Sequence, residues 1–265
     1  EALNPEQPQS TVGKMVDTRF YISNVMLIDA TGKATPVYMT ENANQAKNLA
    51  LLNFGYDSTG VGTACTASYN TAVVGKVKPG TYVGISMTMG VPVRSADMTT
   101  KLNHADPANA VTTPEPLQNT SMNWAWQSGR KFMKLEFRPD FAAPATGGII
   151  KANGSSTTKW NVHIGSTGCA GDPTTGKETA CTNANRLALN FANFNATSQK
   201  IVLDLAALFA KSDVTFEGGG AVGCMSGTTD PECPAIFKAL GLGLTGANAG
   251  RTLTGADVQM VFKVQ

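Results

Sequence analysis

The chain reads as a succession of short apolar or alternating runs broken by Gly, Pro, Asn and Asp. Residues 20–28 are rich in β-branched and aromatic side chains and stop at Asp29-Ala30-Thr31-Gly32, which predicts a strand entering a hairpin. In residues 81–89, Val83, Ile85, Met87 and Met89 alternate with Tyr82, Gly84, Ser86 and Thr88, the two-residue period of a half-buried strand. Residues 131–137, 159–164, 186–191 and 200–203 are further strand candidates, and 258–264 puts Val258, Met260, Phe262 and Val264 on one face. Helical signals are confined to residues 205–211 and, after Pro234, 235–240; residues 43–52 read either way. Strands between turns, with no strand–helix alternation, predict a mainly β fold, an antiparallel β-sandwich with long loops and a few short helices. No internal repeat or linker interrupts residues 1–265, which read as one domain. Residues 103–120, rich in Ala, Asn, Pro and Thr, form a long loop, a kind of segment that often carries function.

Composition narrows the class. Charged residues make up only 15% of the chain, below the usual share of about a quarter, so Ser, Thr, Asn, Gln and Gly must carry the surface, as suits an exported protein. The net charge is +2 and Lys and Arg are scattered, which argues against a nucleic-acid or anionic-membrane partner. No apolar stretch approaches membrane-spanning length. The start at Glu1-Ala2-Leu3, with no initiator methionine and no signal-like region, fits either a mature form from which an export signal has been removed or an expressed piece with chosen ends.

The cysteines agree with an oxidising compartment. Cys169 and Cys181 flank a segment rich in Gly, Asp, Pro and Thr, and Cys224 and Cys233 close a second short loop, so each pair reads as a local disulfide. Zinc is the competing explanation, but the spacings exceed those of zinc knuckles and no histidine is interleaved. Cys65 is left over, as an inert buried thiol or a reactive one.

His104 and His163 are the two histidines of the chain. Two imidazoles are too few for a closed zinc site but suffice for two- or three-coordinate copper if another donor is found. Asp106, two residues after His104, is either a carboxylate fixing the imidazole tautomer or a solvated turn residue before Pro107. Met87, Met89, Met122 and Met225 are soft donors, although the alternation around the first two marks them as core. Hydrolytic chemistry finds no support: the chain has neither a Gly-x-Ser-x-Gly elbow nor an HExxH zinc pair, and Gly165-Ser166-Thr167-Gly168 reads as a turn.

Several motifs occur together and in order: residues 19–25 (RFYISNV), Gly90-Val91-Pro92, residues 102–107 (LNHADP), 122–132 (MNWAWQSGRKF), 163–169 (HIGSTGC) and 223–227 (GCMSG). In this set the chain resembles the MbnP-like family, periplasmic four-cysteine proteins related to the MopE and CorA copper proteins and to methanobactin-linked copper homeostasis. The departure is Arg130, where the family pattern has an aromatic residue. The resemblance implies a copper site, most naturally Cu(I), made by His104, His163 and a kynurenine. That kynurenine is an oxidised tryptophan produced by a di-haem peroxidase-like partner of the MbnH or MauG type. Trp126, Trp160 and Trp124, in that order, are the candidates. A regular strand over residues 159–164 turns Trp160 away from His163, unless a bulge shifts the face. Under this reading the chain is the substrate of a modifying enzyme rather than an enzyme. The alternatives are a redox-active copper enzyme and a disulfide-stapled interaction module without a metal.

Overall fold

The computed structural model describes residues 12–56, 69–124, 129–140, 148–170 and 180–265. Trp126 and Cys65 lie outside these residues. Among the described residues the main sheet has eight strands: β1 (Gly13–Ile28), β2 (Ala34–Pro36), β3 (Gln45–Ala46), β4 (Leu49–Tyr56), β5 (Gly84–Met89), β6 (Met133–Pro139), β7 (Trp160–Ile164) and β8 (Leu187–Phe191). All of its pairings are antiparallel. Among the described residues the α-helices are α1 (Leu205–Phe209) and α2 (Cys233–Ala239). The mainly β, antiparallel fold expected from the turn-punctuated pattern is therefore present.

β1 is the spine, because its 16 residues change partners on both edges. One edge pairs with β6 up to Phe20 and with β5 from Ile22. At the joint, Tyr21 donates its N–H to Phe132 O (2.8 Å) and accepts from Gly90 N (2.9 Å). The other edge passes from β4, whose first residue Leu49 lies opposite Ser23, to β2, whose last residue Pro36 lies opposite Met26. Asn24 absorbs the change in the left-handed region at φ 53°, a conformation that asparagine tolerates better than most side chains.

The two faces of this sheet differ. Phe20, Ile22, Met133, Leu135, Trp160, Val162 and Ile164 alternate onto one face and join Leu208 of α1 and Ile236 and Phe237 of α2 in the core. Each such side chain contributes roughly 1.5–3 kcal/mol on burial. The opposite face is buried but polar. Arg19, Lys134 and His163 stand directly opposite one another across β1, β6 and β7, and so do Asp17, Glu136 and Asn161. The long loop predicted at 103–120 covers this face: Tyr21 Oη donates to Pro116 O (2.8 Å), and Arg19 Nη1 donates to Asn119 Oδ1 (3.4 Å).

Several local expectations change. Residues 43–52 resolve as strand, in β3 and β4. β5 begins only at Gly84, leaving Val83 exposed. The run at 258–264 is a strand over Phe262–Val264 alone, paired with Ile201–Leu203, and Val258 and Met260 are exposed rather than sharing the face of Phe262. Residues 255–257 form a 3-10 turn instead, so the alternation there has no neighbouring strand to pair with. Met89 and Met122 are fully buried, as the core reading of the first required, and Met87 packs against the core.

Candidate metal centre

His163 sits in the middle of β7, a regular strand with an unbroken register to β6. Trp160 consequently points into the apolar core, edge-on to Phe209 at 5.8 Å, while His163 faces the polar side. The outer edge of β7 is bound to residues 223–226. Cys224 N–H donates to Asn161 O, His163 N–H to Cys224 O (both 2.9 Å), and Ser226 Oγ to His163 O (3.0 Å). Gly223, at φ 69°, permits this approach, because a side chain there would collide with the backbone of Asn161. The Cys224–Cys233 disulfide then ties this edge segment to α2. Closing so short a loop contributes about 3 kcal/mol on the chain-entropy account.

The His163 side chain is 7% exposed, and its imidazole meets the Glu136 carboxylate, Nε2 to Oε1, at 3.3 Å. Burial lowers its pKa and outweighs the opposing pull of Glu136, so the ring is neutral near pH 7. A neutral ring facing a carboxylate donates from Nε2–H, which leaves the Nδ1 lone pair unprotonated. Nδ1 is buried and has no hydrogen-bond partner among the described residues. Glu136 is itself pinned by Lys159 (2.8 Å) and Lys134 (3.2 Å). Burial pushes its carboxyl up, but the His163 hydrogen bond and the two lysines prevail and hold it well below the usual carboxylate range. This carboxylate–histidine pair is the arrangement that fixes a ligand's tautomer, and Glu136 was missed in the sequence because it lies 27 residues away on another strand.

His104 is carried by the covering loop and is 6% exposed. Arg130 clamps the chain on both sides of it: its guanidinium donates to Asn103 O (3.3 Å), Ala105 O (2.8 Å) and Leu117 O (2.8 Å). Arg130 N–H also donates to Asn103 Oδ1 (3.1 Å). The departure from the family's aromatic residue thus affects more than local packing, since this arginine holds the histidine-bearing loop. Asp106 takes the turn role, its Oδ1 accepting Ala108 N–H (2.9 Å) at the surface. His104 also lines a cleft of about 1030 Å³ whose wall carries both signs of charge, including Arg94, Lys101, Asp106 and Glu115.

Trp124 connects the two histidine regions. Gly165, two residues beyond His163 and continuing its face, is so close to the indole that a Cβ there would lie 2.8 Å from the ring. The backbone N–H of Trp124 donates to Gly129 O (3.0 Å), and a Cβ on Gly129 would lie 3.4 Å from His104 Nε2. The closely spaced group of ligand atoms among the described residues is nevertheless His104 with Cys169 and Cys181, all within 4.8 Å, and it does not include His163. The two sulfurs are joined in the Cys169–Cys181 disulfide, so in the folded, oxidised chain they are not thiolate donors. Both disulfides expected from the cysteine spacing are present.

Fold and site together define a class: an antiparallel β protein stapled by two local disulfides, with both histidines buried and one, His163, presenting a ring nitrogen that no described residue engages. The chain belongs to the MbnP family, whose model matches residues 2–226, a span that includes both histidines and three of the four paired cysteines. Among solved structures it is similar to MbnP from Methylosinus trichosporium, with 39% sequence identity and a TM-score of 0.85 over 99% of this chain and 90% of that one. No curated protein matches it. No helix among the described residues is long and apolar enough to cross a membrane.

Proposed function

We propose that this protein is a periplasmic copper-binding protein in which His104 and His163 hold one copper ion and a tryptophan converted to kynurenine supplies the third donor. Copper is its cargo, for acquisition, storage or trafficking. The chain is the substrate of a di-haem peroxidase-like partner and has no catalytic residues of its own. The observation that carries this reading is the His163 ring: neutral, buried, fixed through Nε2 by Glu136, and left with an unengaged Nδ1. A buried nitrogen lone pair without a partner costs stability unless something occupies it, and neutral imidazole is the commonest transition-metal donor.

The donor set suits a soft, low-coordinate ion. Two imidazoles and an aryl amine match Cu(I) and discriminate against oxygen-seeking cations. Opening the indole turns a nearly unbasic ring nitrogen into an aryl amine beside a ketone, a better donor. The contacts of Trp124 with Gly165 and Gly129 favour the segment containing Trp124 and Trp126 over Trp160, whose indole is sealed in the core beneath Phe209.

Coexpression with the di-haem partner is the test. Intact mass should show loss of one carbon and gain of one oxygen, peptide mapping should place the change at Trp124 or Trp126, and copper binding should rise only in the converted protein. Identical mass and copper stoichiometry with and without the partner would overturn the reading.

A further inference from the structure

The Cys169–Cys181 disulfide lies beside His104, and we propose that opening it creates a second soft-metal site for Cu(I), with the two sulfurs and a His104 ring nitrogen as donors. The three ligand atoms already lie within 4.8 Å of one another. Metal–sulfur and metal–nitrogen bonds of about 2.3 and 2.0 Å place donors around a common ion no more than roughly 4.6 Å apart, so little movement is needed. The sulfurs stay together without their bond, because Cys169 and Cys181 are direct cross-strand partners in the ribbon of Thr167–Cys169 and Cys181–Asn183. That ribbon has its own ties: Ala170 N–H to Ala180 O (3.0 Å), Asn183 Nδ2 to Thr167 Oγ1 (3.0 Å) and Thr182 Oγ1 to Gly168 O (3.2 Å).

Access favours this disulfide over the other. Cys224 and Cys233 are fully buried, whereas Cys169 and Cys181 are half-buried. A dithiol reductant attacks one sulfur, the S–S bond breaks, and the reductant leaves as its own disulfide while two thiols form on the protein. Cu(I) then displaces both thiol protons. While the disulfide is closed, neither sulfur carries thiolate charge and the site is latent. Because His104 belongs to both donor sets, filling the dithiol site withdraws a ligand from the one proposed above, so reduction transfers copper within the chain. The site goes beyond that reading and shares one residue with it.

The test uses the full chain carrying Cys65→Ser, which leaves four cysteines, and His163→Ala, which disables the first site. The protein is treated anaerobically with limiting phosphine reductant, desalted, and titrated with Cu(I) against bicinchoninate. Alkylation mapping should label Cys169 and Cys181 and spare Cys224 and Cys233. The reduced form should take up one Cu(I), with sulfur-to-copper ultraviolet absorption that the oxidised form lacks, and adding His104→Ala should weaken binding about tenfold or more. The proposal falls if reduced and oxidised protein bind alike, if Cys224–Cys233 opens first, if His104→Ala changes nothing, or if a Cys169→Ser/Cys181→Ser variant binds as tightly after reduction. Since the background lacks His163, failure here leaves the kynurenine reading standing, and failure of the coexpression experiment leaves this site standing.

Discussion

Replacing Glu136 by glutamine isolates what its carboxylate does for His163. The side chain is 11% exposed and meets Lys159 at 2.8 Å, Lys134 at 3.2 Å and His163 at 3.3 Å. Glutamine preserves the shape and removes the charge. Lys134 keeps Asp17 at 2.6 Å, and Lys159 is 34% exposed and resolvates, so the stability cost should be about 1 kcal/mol. Alanine removes the acceptor as well, leaves Lys134 and the imidazole facing an empty, buried position, and should cost about 3 kcal/mol. The effect on the imidazole differs from both. A glutamine amide can present either its oxygen or its nitrogen to Nε2, so the tautomer is no longer enforced and Nδ1 is protonated in part of the population. Loss of such an orienting partner typically weakens metal binding 10–100-fold, equivalent to about 1.4–2.7 kcal/mol. Two assays on Glu136→Gln check this: Cu(I) competition titration of the converted protein, and nitrogen NMR of the imidazole in metal-free protein, where the wild type should show a single Nε2–H tautomer. A variant that melts earlier yet binds copper like the wild type with its tautomer unchanged refutes the positioning role.

Three further outcomes are expected. Arg130→Ala leaves three buried carbonyls beside His104 without their donor and should destabilise the protein by about 3 kcal/mol in chemical unfolding, with copper affinity falling as the loop loosens. Trp160→Phe should lower the melting temperature through lost core packing, without altering the partner-dependent mass change or copper stoichiometry. Asp230 and Glu232 accept backbone N–H groups around the Cys224–Cys233 loop, and burial raises the pKa of both carboxyls. A raised folded-state pKa stabilises most below the unfolded carboxylate pKa and is lost as pH climbs through the folded value. Asp230→Asn should therefore narrow the drop in melting temperature between pH 4 and pH 7 (about the range over which carboxylates titrate), and an unchanged drop would rule this out.

Much of the fold was legible locally. Residues 20–28 and 159–164 are strands because β-branched and aromatic side chains alternate there, and that alternation alone turned Trp160 from His163. The cysteine pairs were legible because each closes a short loop. Val258 and Met260 misled because alternation reports a strand only where a neighbouring strand accepts its hydrogen bonds, and Ile201–Leu203 reaches only Phe262–Val264. Glu136 and the clamp of Arg130 were invisible for another reason. A carboxylate on β6 and a guanidinium ahead of it look like ordinary surface charges until the loop at 103–124 lies across the polar face and removes water from them.

By itself, then, the sequence determined the β periodicity, the two disulfide loops, and the scarcity that singles out His104 and His163, since these depend on residue identity and spacing alone. Only the tertiary structure decided which face each histidine takes, that Glu136 occupies one nitrogen of His163 and leaves the other unengaged, and that His104 rests against a disulfide. Those are outcomes of strand register and loop closure between residues tens of positions apart, and side-chain chemistry depends on the neighbours that such closure brings within a few ångströms.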